Sequence, residues 1–415
     1  MCGISGVISN KNISPYLVSK MVLSQKHRGP DNSTTKRLED NVIFGHNRLS
    51  IISLDESSNQ PFTCKDKRYT ITYNGEIYNY IELRNQLKSF WTFKTTSDTE
   101  VLLAAYSVWG HKCLDKLNGM FSFCIWDKKF KKLFMARDRF GVKPLHYYIN
   151  NEKLVFASEI KALWAYGIKK TLNQKVCSAY LKYGSYGDLN NTFWKGVSQL
   201  PAGNYAIYEA NKIKLFKWYN FRSRVINLEN DTYKIDRIKE LIIDAIKIRF
   251  RADVPIGINL SGGVDSSTLL SIVNLLFKDN NHIKPFTFFT DDYRYDEIKW
   301  VVSMLKNNSD NLEKCLLKYT NVPSLTKKLM KYQDEPFGGI PTIAYGKVFE
   351  RAKNIGYKVL LDGQGADESW AGYDYYNSDS KLTIQGTKVS PFKINVLEED
   401  FSSLSKNIEY PKPFN

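Results

Sequence analysis

The stretch Asn259-Leu260-Ser261-Gly262-Gly263-Val264-Asp265-Ser266-Ser267 joins an apolar run to a helical pattern, with small residues at the joint. Ahead of it, Val254-Pro255-Ile256-Gly257-Ile258-Asn259-Leu260 predicts a short strand, and behind it Leu269, Ile272, Val273, Leu276 and Phe277 recur at helical spacing. Strand, loop and helix in that order make a cradle for phosphate. Two glycines let the backbone approach an anion closely, the hydroxyls of Ser261, Ser266 and Ser267 add donors, and the helix N-terminus presents unpaired N–H groups. Most Gly-Gly pairs are only turns that cap a helix; here the order of elements favours the phosphate site. Asp265 would repel phosphate unless a cation sat between them, so Mg²⁺ is expected there.

Outward from this loop the pattern continues as alternating strands and helices. Ile238, Leu241, Ile242, Ala245 and Ile246 lie on one helical face before it. After it come a buried strand at Pro285-Phe286-Thr287-Phe288-Phe289-Thr290, a helix beyond Asp296-Glu297, and an apolar strand Lys358-Val359-Leu360-Leu361 that ends in Asp362-Gly363-Gln364-Gly365-Ala366-Asp367-Glu368. Such alternation predicts a parallel sheet, whose ligands bind beyond the carboxyl ends of its strands. Both glycine-rich loops fall there.

The N-terminal half reads differently. Met1-Cys2-Gly3-Ile4-Ser5-Gly6-Val7-Ile8 is strand-like with cysteine in second place. If Met1 is trimmed, Cys2 carries a thiol and a free α-amine whose reference pKa, about 7.7 to 8.0, suits a general base near neutral pH. The plain alternative is a small buried cysteine opening an edge strand. Gln25 to Asp31 is a turn-rich loop, and Phe44 to Ile51 is a strand carrying Arg48. Asn74-Gly75, set between β-prone runs from Ile71 to Asn79, carries the signature of a tight hairpin. Thr95 to Glu100 starts a helix with Val101, Leu102, Ala105, Tyr106 and Trp109 on one face, and Asp98 fits its cap.

A chain of 415 residues has room for two or three domains. Its 59 basic against 43 acidic residues give a net charge of +16, but the lysines are spread along the chain and the tight runs, such as Lys128 to Lys132, read as solvated turns, which argues against nucleic acid as a partner. Six cysteines without C-x-x-C spacing fit a reduced cytoplasm, and the five histidines show no zinc spacing. No apolar run approaches the roughly 18 residues of a spanning helix, and no charged leader precedes Cys2. A soluble cytoplasmic protein with no membrane partner is expected. There is no internal repeat.

Two resemblances organise these observations. Cys2-Gly3-Ile4, His46-Asn47-Arg48-Leu49, Tyr73-Asn74-Gly75-Glu76-Ile77-Tyr78-Asn79 and Ser97-Asp98-Thr99-Glu100 closely resemble the class II glutamine amidotransferase domain, as do Leu117 to Phe121 and Ala136 to Leu145. The loop at Ser261 resembles the SGGxDS loop of the ATP pyrophosphatases, and the second half as a whole is similar to the synthetase domain of asparagine synthetases. The fold implied is an α+β N-terminal nucleophile domain of αββα layers over residues 2–205, a connection over 206–230, and an α/β parallel-sheet ATP pyrophosphatase domain over 231–415. Leu215 to Tyr219 and Asn227 to Asp231 read as parts of that connection.

The resemblance also implies roles. Cys2 would attack the glutamine side-chain amide and form a thioester; the Asn74 side chain and the Gly75 N–H would form the oxyanion hole. Arg48 would hold the substrate α-carboxylate through its planar fork, and Asp98 and Glu76 its α-ammonium. Ser261, Gly262, Gly263, Asp265 and Ser266 would hold pyrophosphate, Asp265 and Asp367 would ligate Mg²⁺, and Leu260, Phe288, Asp362 and Gly363 would line the ATP site. Aspartate would be adenylylated on its β-carboxylate, and ammonia travelling through an internal tunnel would displace AMP; exclusion of water protects both species.

Two departures from the pattern stand out. Gln364, the candidate acceptor-site residue, occupies a place where better-known members carry glutamate, and an amide has no acid–base capacity. This leaves open a sugar-acid carboxylate in place of aspartate. The resemblance also weakens past about Tyr373 and stops at Asn415, where relatives continue. A fragment, a second polypeptide supplying the rest, and a chain active only as a glutaminase are all compatible with that, as is a homodimer.

Overall fold

The computed structural model describes residues 1–183, 191–226, 235–277, 283–293, 296–305, 311–370 and 397–405. Asn227 to Asp231, Tyr373 and the terminal Tyr410 to Asn415 lie outside the described residues. The chain divides into two compact units, Met1–Asp231 with Asn395–Asn415, and Thr232–Ile394.

The first unit carries twelve strands: β1 (Gly3–Ser9), β2 (Asn32–Glu39), β3 (Val42–Arg48), β4 (Phe62–Thr63), β5 (Tyr69–Ile77), β6 (Gly119–Asp127), β7 (Lys132–Arg137), β8 (His146–Ile149), β9 (Lys153–Ala157), β10 (Val197–Gln199), β11 (Asn204–Glu209) and β12 (Lys212–Lys217). They form two six-stranded sheets, in the orders β10-β8-β9-β1-β3-β2 and β12-β11-β7-β6-β5-β4, every described pairing antiparallel. Ile4, Phe44 and Phe156 of one sheet meet Cys124, Met135 and Ala206 of the other in a shared core. The outer face of the first sheet is covered by the helices Pro15–Ser24 and Ile160–Tyr166, through Met21, Ile160 and Leu163, and that of the second by the helix Asp98–Trp109, through Val101, Leu102 and Ala105. Four layers result, as expected of an N-terminal nucleophile fold.

β1 is buried along its whole length and paired on both sides, with β3 and β9. Gly6 makes that possible: a Cβ there would sit 2.3 Å from the Phe156 ring and 2.8 Å from Phe44, whose edge-to-face pair crosses the strand.

Two local expectations change. Asn74-Gly75 is no turn but the middle of β5, which pairs with β6 without interruption from Tyr69↔Asp127 to Ile77↔Gly119. Glycine is needed there for close approach, since a Cβ on Gly75 would lie 2.2 Å from the Met120 carbonyl oxygen. Residues 206–217, expected within the connection, instead build β11 and β12, which extend the second sheet from β7. Their alternation is poor because β12 lies at the sheet edge, its residues mostly exposed.

The second unit has the parallel sheet expected, in the order β15-β14-β13-β16, with β13 (Ile256–Asn259), β14 (Lys284–Thr290), β15 (Glu313–Leu317) and β16 (Val359–Leu361). Ile258 and Leu260 pack with Leu269, Leu270 and Val273 of the helix Val264–Leu276 on one face; Phe286 and Cys315 pack with Val348 and Ala352 of the helix Gly339–Asn354. β13 and β16 are neighbours, so the loops that follow them are neighbours as well.

Candidate active sites

The first site lies at the N-terminal end of β1. Cys2 is held by its backbone, whose carbonyl accepts from Arg28 Nε at 2.8 Å, and its Sγ accepts from the Leu49 N–H at 3.4 Å. Burial pushes the thiol pKa up, so it rests as the thiol and needs a base to react. The chain's α-amine, carried by Met1, is pushed down to about 5 by burial, with Arg28 and Lys143 adding to the effect and Cys2 and Glu76 opposing it. An amine in this place is neutral at pH 7.

β5 delivers the next residues. The Asn74 side chain is fully buried, and neither its amide nitrogen nor its oxygen has a hydrogen-bond partner. A buried unpaired amide is costly. Gly75, Glu76, Asp98, Arg48 and Cys2 all line one pocket, together with Leu49, Tyr73 and Gln60. The structure thus brings the sequence-expected glutamine-site residues together, with Asn74 beside Gly75 in the same strand.

Asp98 does something other than cap its helix. Ser97 is the N-cap, accepting from the Thr99 N–H, while the Asp98 carboxylate crosses to β5 and accepts from Tyr73 Oη at 2.8 Å and the Ile77 N–H at 3.0 Å. Burial raises its pKa, against the lowering effect of these donors. Arg48 is also occupied. Its guanidinium donates to the Asp55 carbonyl at 2.6 Å, to Asn59 Oδ1 at 2.9 Å and to the Ser53 carbonyl, fixing the 53–59 loop that walls the pocket.

Sequence reasoning missed several members. Gln60 accepts from the Tyr73 N–H at 2.7 Å and donates to Thr99 Oγ1 at 3.2 Å, tying β5 to the helix that bears Asp98. Glu159 accepts from Arg28 at 2.9 Å and pairs with His27 and Lys161, each at 3.0 Å. Burial raises the Glu159 pKa, but the hydrogen bond from His27 and the neighbouring Arg28 and Lys161 charges outweigh it and hold the carboxyl down to about 2. No spacing in the sequence joins residues 28 and 159; only the fold does.

The second site is the pair of loops beyond β13 and β16. Gly262 has φ +83°, a left-handed conformation that favours glycine, and Gly263 is the N-cap of the helix Val264–Leu276. The serines brace the turn: Ser266 Oγ accepts from the Ser261 N–H at 3.3 Å and donates to the Gly263 carbonyl at 3.1 Å, and Ser267 Oγ donates to the same carbonyl at 2.8 Å. Gly363 packs against the start of that helix so closely that a Cβ would lie 2.7 Å from Asp265 Cβ. The acidic loop Asp362 to Asp367 is thereby brought to Asp265. Asp362 Oδ1 accepts from the Gln364 N–H at 3.1 Å, and the Tyr345 hydroxyl interacts with the side chains of Gln364 and Asn259. Phe288, half-buried on β14, stacks edge-on with Tyr345 at 6.0 Å. Leu260 is 1% exposed and faces the core, so only its backbone borders the loop. Among the described residues no three His, Cys, Asp or Glu side chains gather to hold a metal on their own. Mg²⁺ is commonly held by one or two carboxylates, with waters and phosphate oxygens completing its shell, and Asp265 and Asp367 suit that share.

Fold and first site together define a class, the glutamine amidotransferases built on an N-terminal nucleophile fold. Residues 1–219 match the glutamine amidotransferase domain and residues 237–410 match asparagine synthase. A putative glutamine-hydrolyzing asparagine synthetase 2 of Methanocaldococcus jannaschii is 35% identical over 90% of this chain and 76% of its own length. Glutamine-hydrolyzing asparagine synthetase 1 of Bacillus subtilis is 32% identical over 92% of this chain and 60% of its own, and the amidase chyE of Penicillium rubens is 32% identical over 85% and 54%. The chain belongs to the glutamine-hydrolysing asparagine synthetase family, and spans about half to three quarters of the length of these relatives. No helix among the described residues is long and apolar enough to cross a membrane.

Proposed function

We propose that the chain makes an amide from a carboxylate, with glutamine as nitrogen donor and ATP as activator, and that aspartate is the carboxylate. The observation that carries this reading is the single pocket lined by Cys2, Arg48, Gly75, Glu76 and Asp98, with the unpaired, buried amide of Asn74 next to Gly75 in the same strand. With Met1 removed, the α-amine takes the thiol proton of Cys2, and the thiolate adds to the glutamine amide carbon. The oxyanion is met by Asn74 Nδ2 and the Gly75 N–H. Ammonia then leaves with the proton returned from the amine, and water releases glutamate from the thioester. Arg48 would contact the substrate α-carboxylate, and Asp98 and Glu76 its ammonium.

In the second unit, Ser261, Gly262, Gly263 and Ser266 would cradle the phosphates of ATP, with Phe288, Asp362, Gly363 and the Leu260 backbone about the nucleoside. Mg²⁺ held by Asp265 and Asp367 would offset phosphate charge. A second reading, amide formation on another carboxylate such as a sugar acid, is favoured by Gln364 in place of glutamate and by amidase-named relatives in two fungi. Cys2→Ala separates the parts: it should abolish glutamate release while sparing aspartate-dependent pyrophosphate release with ammonium. Loss of both together would sink the two-site reading, and pyrophosphate release with a uronic acid but not aspartate would select the second.

A further inference from the structure

Lys143 is a buried lysine that the reaction outlined above leaves without a task. It is 4% exposed, and its place is set by its backbone: the N–H donates to Asp138 Oδ2 at 3.0 Å and the carbonyl accepts from Arg137 Nε at 2.8 Å. The side chain runs to the N-terminus of the chain. There Nζ lies 3.0 Å from Met1 Sδ, and among the described residues this thioether is its one hydrogen-bond partner. A thioether is a weak acceptor, so the ammonium is poorly compensated, and burial takes its pKa down to about 8. The groups that face it are Cys2, Arg28, Glu76 and Asp138.

Removal of Met1 takes that partner away and leaves a new α-amine on Cys2. We propose that Lys143 is a positioning residue for this general base: its buried ammonium, held at the N-terminus of the chain, stands as a like charge beside the Cys2 α-amine and keeps that amine neutral, its lone pair free to accept the thiol proton. A like charge beside the protonated form disfavours it. Arg28 adds to the effect, and Glu76, which favours the protonated amine, opposes it. Without Lys143, Arg28 alone would be left to offset Glu76. The proposal rests on Cys2 being the nucleophile and its amine the base.

The test is the titration of the α-amine itself. Wild-type, Lys143→Met and Lys143→Arg proteins are freed of Met1 with a methionine aminopeptidase and checked by mass. Each is labelled with trace acetic anhydride between pH 5 and 10, and acetylation of the N-terminal peptide is read by mass spectrometry. The amine of K143M should titrate about one pH unit above wild type, K143R should stay with wild type, and the acidic limb of glutaminase kcat/KM should move with the label. Identical labelling curves for wild type and K143M overturn the proposal, as does a K143R curve displaced as far as that of K143M. Should K143M fail to fold by circular dichroism, Lys143→Gln takes its place. A shift in labelling on a protein whose wild type releases no glutamate would leave the lysine's role standing and remove the glutaminase reading instead.

Discussion

Asn74→Ala should separate stability from activity. The side chain is fully buried, and both polar atoms of its amide are unpaired. Each unsatisfied buried atom costs about 1 to 3 kcal/mol, a cost the alanine removes. Against that stands the cavity left by the three lost heavy atoms, about 1 to 3 kcal/mol by analogy with apolar truncations. With two such atoms relieved, the variant should unfold at most about 1 kcal/mol more easily than wild type and otherwise gain stability. Activity should behave otherwise. Loss of one oxyanion donor typically lowers kcat about 10² to 10³-fold, close to 3 kcal/mol of barrier. Urea unfolding followed by fluorescence gives the first quantity and glutamate release the second. A variant that unfolds more than about 2 kcal/mol more easily, yet keeps glutaminase within tenfold of wild type, would show that the amide supports the fold and has no part in catalysis.

Two further variants probe other features. Gly262→Ala places a side chain at φ +83°, with its Cβ 2.9 Å from Trp300 Cβ; at about 1 to 2 kcal/mol for the left-handed conformation, the loop should shift, and calorimetric titration should find ATP affinity at least tenfold weaker with glutaminase unchanged. Glu159→Gln should destabilise the first unit. The folded carboxyl is held at about 2 against 4.5 in the free group, so its stabilisation, roughly 3 kcal/mol at most, is fully present above about pH 4.5 and fades as pH falls toward 2. The gap in urea midpoint between wild type and E159Q should therefore be widest at pH 7 and shrink below pH 4.5; a gap independent of pH would refute the charge argument.

The strands, helices and loops closest to each site were legible because their signals are local. Ser261 to Ser267 shows its strand, turn and helix within a dozen residues. Asn74-Gly75 misled when read alone, because the demand for glycine comes from the facing strand: β6 approaches too closely for a Cβ, and no property of residues 71–79 reports that. Residues 206–217 were opaque for a similar reason. Their strand character is supplied by pairing with β7, some seventy residues earlier. Arg48 was expected to offer its fork to a carboxylate, and its terminal nitrogens also bind carbonyls of a loop only a few residues on; residue type states what a side chain can bind, and the fold decides which acceptors reach it first. Glu159 and Arg28 lie 131 residues apart and meet only after the first sheet has closed.

The two units also differ in how they would come apart. β1 is hydrogen-bonded to neighbours on both sides and buried throughout, so its amides should exchange with solvent only when the whole unit opens. Cys2, one residue ahead of it, inherits that persistence. β16 is three residues long, half-buried, and at the edge of its sheet among the described residues; the loop from Asp362 to Asp367 should hang from the segment most easily released. On the function proposed above, heat or mild denaturant would release the carboxylate-activating half while the nitrogen-releasing half still turned over. The failing protein would then become an uncoupled glutaminase, consuming glutamine with no amide to show for it.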